Sequence, residues 1–422
     1  MPFEESRLVN KPDLNRRRFL AQSGAAITVS ALLGTRESGA TEAEDDSGKS
    51  TADKLISGKD ARLIVHVPAP PEIETPLALL RESRITPVSL LFVRTNQPME
   101  GAGTIEPMAA KDWKIEIAGL RTGPAQIAAA DLAALPQIEV ELVLQCSGNG
   151  RAMFSQAAPA KGAQWQAGAM GNVRFAGVLL SKVFEHWKIQ PGDQARFLTA
   201  EGRDAPAKRE DPDFEHSIPL ADALDRTFLA LRLNGEPIPA VHGGPVRLIT
   251  PGYYATMNVK WLSRLRLEAG ETKNYHQVGR YRTPKEQLKP GAPFTSTLEN
   301  SDANWRMRVK SVIFSPLDGD KVPAGKVTVS GVAYNDGSAA IESVLVSRAP
   351  DGPWFAAKLE TSTSPYAWQH WTAELELPRG EQQIFARATD AQGRSQPMTP
   401  AVDWNPAGYA FHGAHSIRVN VE

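Results

Sequence analysis

The chain contains one cysteine, Cys146, among 422 residues. No intramolecular disulfide can form, and haem attachment through a cysteine pair is excluded. Charge of one sign is lacking too: a formal net charge of -1 provides no basic field of the kind that nucleic-acid binding requires. Nor is there an apolar run near the roughly 20 residues that a bilayer-spanning helix needs, so no membrane span is expected. No internal repeat is visible. Turn chemistry is abundant, with 32 prolines and 33 glycines, which suits short strands better than a helical bundle. The length allows two or three domains. A content of 41% hydrophobic and 23% charged residues is ordinary for a globular chain.

The N-terminus has the layout of an export signal. Asn15-Arg16-Arg17-Arg18-Phe19-Leu20 precedes a short apolar run, Gly24 to Leu33, and small residues ending at Ser38-Gly39-Ala40. Consecutive arginines followed by Phe-Leu resemble the twin-arginine type, an address read by a receptor. Residues 1–40 are therefore expected to direct a folded, cofactor-loaded protein to the periplasm. Residues 41–62 are acidic and weakly hydrophobic, and read as a linker.

Two folded domains are expected after it. Residues 63–300 mix strand-like stretches (Trp113 to Ile117, Ile138 to Gln145, Val246 to Thr250) with helical ones (Ala125 to Leu135, Leu179 to His186). Their irregular interleaving argues for an α+β fold rather than a doubly wound sheet. Across residues 305–422, short β-rich runs (Val309 to Ser315, Lys326 to Ala333, Ile341 to Ser347, Thr372 to Leu377, Gln383 to Thr389, Ser416 to Val421) are separated in several places by turn signals such as Asp318-Gly319 and Asp336-Gly337. That spacing predicts an immunoglobulin-like β-sandwich.

The cysteine closes a strand pattern, Val140-Glu141-Leu142-Val143-Leu144-Gln145-Cys146, and opens a Ser147-Gly148-Asn149-Gly150-Arg151 turn. The sulfur would sit at a strand end beside free backbone amides. Arg151 would favour the thiolate, the soft metal-binding form. By composition alone, an isolated cysteine is as readily a small buried apolar residue.

Several segments in order resemble the sulfite oxidase family of molybdopterin enzymes. Leu144-Gln145-Cys146-Ser147-Gly148-Asn149 is similar to its Leu-Gln-Cys-Ala-Gly-Asn, and Phe92-Val93-Arg94-Thr95-Asn96-Gln97-Pro98 to its Phe-Val-Arg-Asn-His-x-Pro. His242-Gly243-Gly244-Pro245-Val246-Arg247, Pro251-Gly252 and Asn258-Val259-Lys260-Trp261-Leu262 follow in the family's order. The resemblance runs from about Ile85 to Tyr281, and the C-terminal sandwich matches the family's dimerisation domain. It implies a Mo-molybdopterin cofactor with Cys146 as the protein's metal ligand. His242, Arg247 and Lys260 would be donors to the pterin phosphate. Phe92, Val93, Arg94, Thr95, Asn96, Asp204, Asn258 and Val259 would line the pterin. Arg94 and Arg151 would hold an anionic substrate, with Tyr281 as the active-site tyrosine and Tyr275, Tyr253 and Tyr254 as competitors. The implied activity is oxidation of sulfite to sulfate, by a homodimer passing electrons to an external c-type cytochrome.

Three positions depart from the family pattern. Gly150 replaces an arginine of vertebrate members, which would leave the loop more flexible and less basic. Asn96 replaces a histidine, removing a titratable group near the metal. Ala407, in Trp404-Asn405-Pro406-Ala407-Gly408, replaces an arginine that helps vertebrate members hold sulfate. Within the family, a sulfane dehydrogenase subunit and a protein-methionine-sulfoxide reductase are the alternatives. The reductases generally lack the C-terminal sandwich. Outside it, the alternative is a non-enzymatic surface binding module with Cys146 as a core residue.

Overall fold

A computed structural model describes residue 53 and residues 55–422. The expected signal, residues 1–40, lies outside them, as does most of the expected linker. The end of that linker is not a linker. Ile56 and Lys59 are buried, Ser57 bridges Thr104, and Ile56 packs with Leu63, Ile73 and Val241. A few residues that find buried partners outweigh a polar local composition, so residues 55–62 belong to the folded body.

The N-terminal domain is α+β and mainly β, as expected. One five-stranded sheet holds Glu215–Pro219, Phe197–Glu201, Arg264–Glu268, Lys114–Ala118 and Gln126–Ala128 in that order. A second is built around Ile138–Gln145, paired antiparallel with Met170–Leu179, which in turn pairs with Phe228–Leu233. The short helices Leu180–His186 and Leu220–Arg226 each bury an apolar stripe, Leu180, Val183 and Phe184 on one, Leu220 and Ala223 on the other. The helix expected over Ala125 to Leu135 is replaced by the strand Gln126–Ala128 and the 3-10 turn Ala129–Ala134. Ile127 pairs with Ile115 and is buried, so sheet pairing overrides the helix preference of the alanines.

The C-terminal domain is the expected sandwich. Lys310–Ser315, Gly325–Tyr334, Gln369–Leu377 and Lys358–Leu359 form one sheet. The other is formed by Lys321–Val322, His415–Val421, Gly380–Asp390, Ile341–Ser347 and Phe355–Ala356. Inward residues such as Val329, Trp371, Val344, Ile384 and Ile417 make its core.

The sandwich also braces the cysteine loop. The Tyr334 hydroxyl donates to Gln145 Oε1, one residue before Cys146. Ala410 N donates to Ser147 O at 2.8 Å, and Lys310 Nζ to Asn149 O at 3.4 Å. Val143, Met170, Val312, Tyr334 and Trp368 share one apolar cluster across the two domains.

Candidate active site

Cys146 sits where the strand Ile138–Gln145 ends. Its amide donates to Ala169 O at 2.9 Å, Asn149 N donates to Cys146 O at 3.0 Å, and Gly148 N reaches the sulfur at 3.4 Å. Gly150 is left-handed at φ +89, and a Cβ there would meet the Phe411 ring at 2.6 Å. The loop is therefore tightly packed rather than more flexible: glycine is what lets the backbone approach the ring. Burial pushes the Cys146 thiol up, against Arg94, the Gly148 amide and Arg151, which pull it down. The expectation that Arg151 would set a thiolate is corrected, because desolvation outweighs the nearby cations.

Two cavities meet at this sulfur. The first is lined by Phe92, Asn96, Asp204, His242, Arg247, Asn258, Val259 and Lys260. The second, of about 340 Å³, is lined by Glu72, Arg151, Lys161, Arg280, Ala407 and Tyr409 among others. Only Arg94, Cys146 and Tyr281 line both. Of the residues expected in a site, the structure thus brings all but two to one wall or the other. Thr95 lies just behind, its hydroxyl accepting from Lys260 Nζ at 3.1 Å. Val93 turns away, its side chain packed with Ile73, Leu79 and Val241, because alternate residues of a strand face opposite sides.

The first cavity gathers buried positive charge. Arg247 Nε and Nη1 donate to Asn258 O and His242 O, both at 3.0 Å, which leaves Nη2 uncommitted. Burial lowers Arg247 to about 9 and also draws Lys260 down, with Arg247 adding repulsion; it pushes Asp204 up. His242 is not the free phosphate donor expected. Lys59 Nζ donates to His242 Nε2 at 2.8 Å, to Val88 O at 2.6 Å and to Leu91 O at 2.5 Å, so His242 holds a buried lysine in place. Lys59 carries no motif and lies in the expected linker, which is why sequence reasoning missed it. Lys59→Met should lower stability by about 1–3 kcal/mol by leaving three acceptors without a donor. Urea unfolding monitored by tryptophan fluorescence measures this.

On the other side, Tyr281 stands at φ +53, a left-handed conformation that costs a non-glycine residue of order 1 kcal/mol and is commonest at functional sites. Its ring stacks on Tyr409 at 5.0 Å and meets His216 edge-on at 5.3 Å. The hydroxyl donates to Asn96 Oδ1 at 2.8 Å, and Arg94 Nη2 donates to the same oxygen at 2.6 Å. Asn96 thus ties the arginine to the tyrosine without titrating. Of the competitors, Tyr275 is an exposed rim residue, and Tyr253 donates instead to Asp222. Arg151 lines only the second cavity, with Nε donating to Ala407 O and Nη1 to Ala163 O, each at 2.8 Å. Arg280 and Tyr409 were not anticipated, although Arg280 adjoins Tyr281 in the chain.

Buried imidazoles make an acid-sensitivity prediction. Gln277 Nε2 donates to Ser217 O and Glu271, so its Oε1 accepts from His216 Nδ1 and leaves Nε2 unprotonated. Burial holds His216 at about 3 and His415 at about 4. An unfolded histidine protonates near pH 6.5, so below that the unfolded chain binds more protons than the folded one. Stability should be full above about pH 6.5 and fall toward pH 4, by up to about 1.4 kcal/mol per pH unit for each such imidazole. Urea midpoints at pH 7, 5.5 and 4.5 that do not move would contradict this.

Comparison with known proteins fits this geometry. Residues 102–276 match the oxidoreductase molybdopterin binding domain, and residues 301–422 the Mo-co oxidoreductase dimerisation domain. Human mitochondrial sulfite oxidase is 30% identical over 373 residues, 85% of this chain and 66% of that protein, so the chain spans just under two thirds of its length. Chicken (Gallus gallus) sulfite oxidase is 30% identical over 359 residues, 82% of this chain and 75% of that one. The chain belongs to the sulfite oxidase family. A solved structure, the sulfane dehydrogenase SoxCD from Paracoccus pantotrophus, shares the fold with a TM-score of 0.70 at 24% identity, over 92% of this chain and 96% of that one.

The residues present fit the molybdopterin cofactor that the matched family description names. Arg247 is a buried cation and Lys260 a half-buried one on the cavity wall, with Asp204 the one carboxylate there among the described residues. Buried charge of this kind is relieved by a bound anion such as the pterin phosphate. A soft sulfur ligand faces the same space.

Proposed function

We propose that the protein oxidises sulfite, or a closely related sulfur oxyanion, to sulfate. The observation that carries this reading is the meeting of two cationic cavities at one cysteine, one suited to the cofactor and one to a small anion. The bound cofactor supplies the two-electron redox couple. Sulfite and water give sulfate, two protons and two electrons, and the electrons leave singly to an external carrier such as a c-type cytochrome. Arg94 and Arg151 present guanidinium forks that fix the anion. Tyr281 Oη, held by Asn96, is placed to hydrogen-bond the anion or the attacking oxygen.

The size of the second cavity favours one other reading. About 340 Å³ is at the scale of small-molecule ligand pockets and roomy for a four-atom anion, which leaves space for a larger sulfur compound of the sulfane type. Steady-state turnover with an artificial acceptor, comparing sulfite with a sulfane substrate, separates the two. Protein that purifies free of molybdenum would overturn both in favour of a binding module.

The export-type N-terminus supports a periplasmic location, and among the described residues no helix is long and apolar enough to cross a membrane. The match of residues 301–422 to a dimerisation domain supports a symmetric homodimer. Sedimentation of the mature protein at micromolar concentration should give twice the chain mass, and a monomer would count against this.

A further inference from the structure

We infer that Arg280 is a substrate-binding residue, the cation that supplies the second cavity with the positive charge Ala407 does not. This rests on the reading of that cavity as the anion site, and goes on to assign its specificity.

The cavity wall carries Arg94, Arg151, Arg280 and Ala407 together, but the cations differ in how free they are. Arg94 has Glu72 at 3.4 Å from Nη2, and the same amino group donates to Asn96 at 2.6 Å while Nη1 donates to Thr95 O. Arg282 on the same wall pairs with Glu271 at 2.7 Å. Arg151 is anchored by the carbonyls of Ala407 and Ala163. Arg280 is half-buried, and its neighbours are phenols rather than carboxylates: its guanidinium carbon lies 5.4 Å from the Tyr281 ring centroid, and Tyr409 lines the same wall. No carboxylate lies within 4.0 Å of it among the described residues. A guanidinium in partial burial without a counter-charge is poised to bind an anion bidentately.

The neighbouring residues tie this charge to the reacting centre. Arg280 precedes Tyr281, whose left-handed backbone sets the arginine and the tyrosine on one cavity. Tyr409, two residues beyond Ala407, lines the same cavity as Arg280 and stacks on Tyr281. Ala407 keeps a different function here: its carbonyl aims Arg151. On this wall the positive charge sits on the segment that carries the tyrosine, not at position 407. A pocket with three guanidiniums besides the Glu271-paired Arg282 favours a divalent anion over a monovalent or neutral sulfur compound.

The test uses the full mature protein with its cofactor and reads sulfate binding by titration calorimetry alongside sulfite kinetics. Arg280→Gln should weaken sulfate binding roughly 10- to 100-fold and raise the sulfite KM by a similar factor, with kcat at saturation little changed. Arg280→Lys should recover part of the affinity, and so should adding Ala407→Arg to Arg280→Gln, since position 407 lines the same cavity. Recovery at a second position is something a purely structural role for Arg280 would not give. Sulfate affinity unchanged in Arg280→Gln, while Arg94→Gln loses it, would overturn the assignment and leave the anion site intact. A fall in kcat with sulfate affinity unchanged would also overturn it, by showing that Arg280 acts on Tyr281 instead. A parent protein that binds no sulfate would overturn the reading of the cavity itself.

Discussion

Cys146→Ser should purify as a folded protein that retains pterin and has no measurable turnover with sulfite. The fold does not rest on the thiol: Cys146 is held through its backbone, which donates to Ala169 and accepts from Asn149. A serine hydroxyl can take the place of the sulfur beside the Gly148 amide. Arg247 and Lys260, which line the same cavity, remain available to hold the phosphate. What is lost is the soft ligand, replaced by a hard oxygen donor that alters the metal's electronics. Pterin content by fluorescence, molybdenum by mass spectrometry and turnover should be measured on one preparation. Parental activity in that variant would remove Cys146 from the reaction.

Arg94→Gln should lower kcat/KM for sulfite by roughly 30- to 1,000-fold. Loss of a charged donor from a desolvated site costs about 2–4 kcal/mol, and each 1.36 kcal/mol is about tenfold in rate. The structure argues for the upper part of that range, for two reasons. Arg94 and Tyr281 share the Asn96 oxygen, so removing the guanidinium frees the tyrosine's anchor as well. It also strips Glu72 of its 3.4 Å partner and leaves a bare carboxylate facing the substrate cavity. The double variant Arg94→Gln with Glu72→Gln should therefore regain part of the lost rate. If the double variant is no better than the single one, Glu72 does not contribute to the loss. If Arg94→Gln turns over like the parent, the oxyanion site lies elsewhere.

Much of this architecture is legible in the sequence. The strand Ile138–Gln145 shows as an apolar run closed by a glycine turn, and the sandwich strands show as short β-rich runs with turn residues between several of them. These signals are local, set by alternation and by residues that break it. The co-ordered segments around Phe92, Cys146, His242 and Lys260 likewise named most of the cavity wall, because each motif keeps its own backbone geometry. Where local preference had to compete with pairing, as at Ala125 to Leu135, the sequence reading failed, since helix preference is set by the immediate neighbours and the strand that captures Ile127, at Ile115, lies outside them.

The sequence by itself determined the family, the metal-binding cysteine as a candidate, the order of the domains and the kinds of donor in the site. Tertiary structure alone decided how those donors are used. It brought Lys59 across 183 residues to occupy His242, and set Arg151 against the carbonyl of Ala407. It also placed Arg280 where position 407 lacks a charge, and let burial raise the Cys146 thiol despite two nearby arginines. The physical reason is common to all four. A hydrogen-bond partner, a desolvation penalty and a Coulomb interaction depend on distances of a few ångströms between residues remote in sequence, and only the packed chain sets those distances.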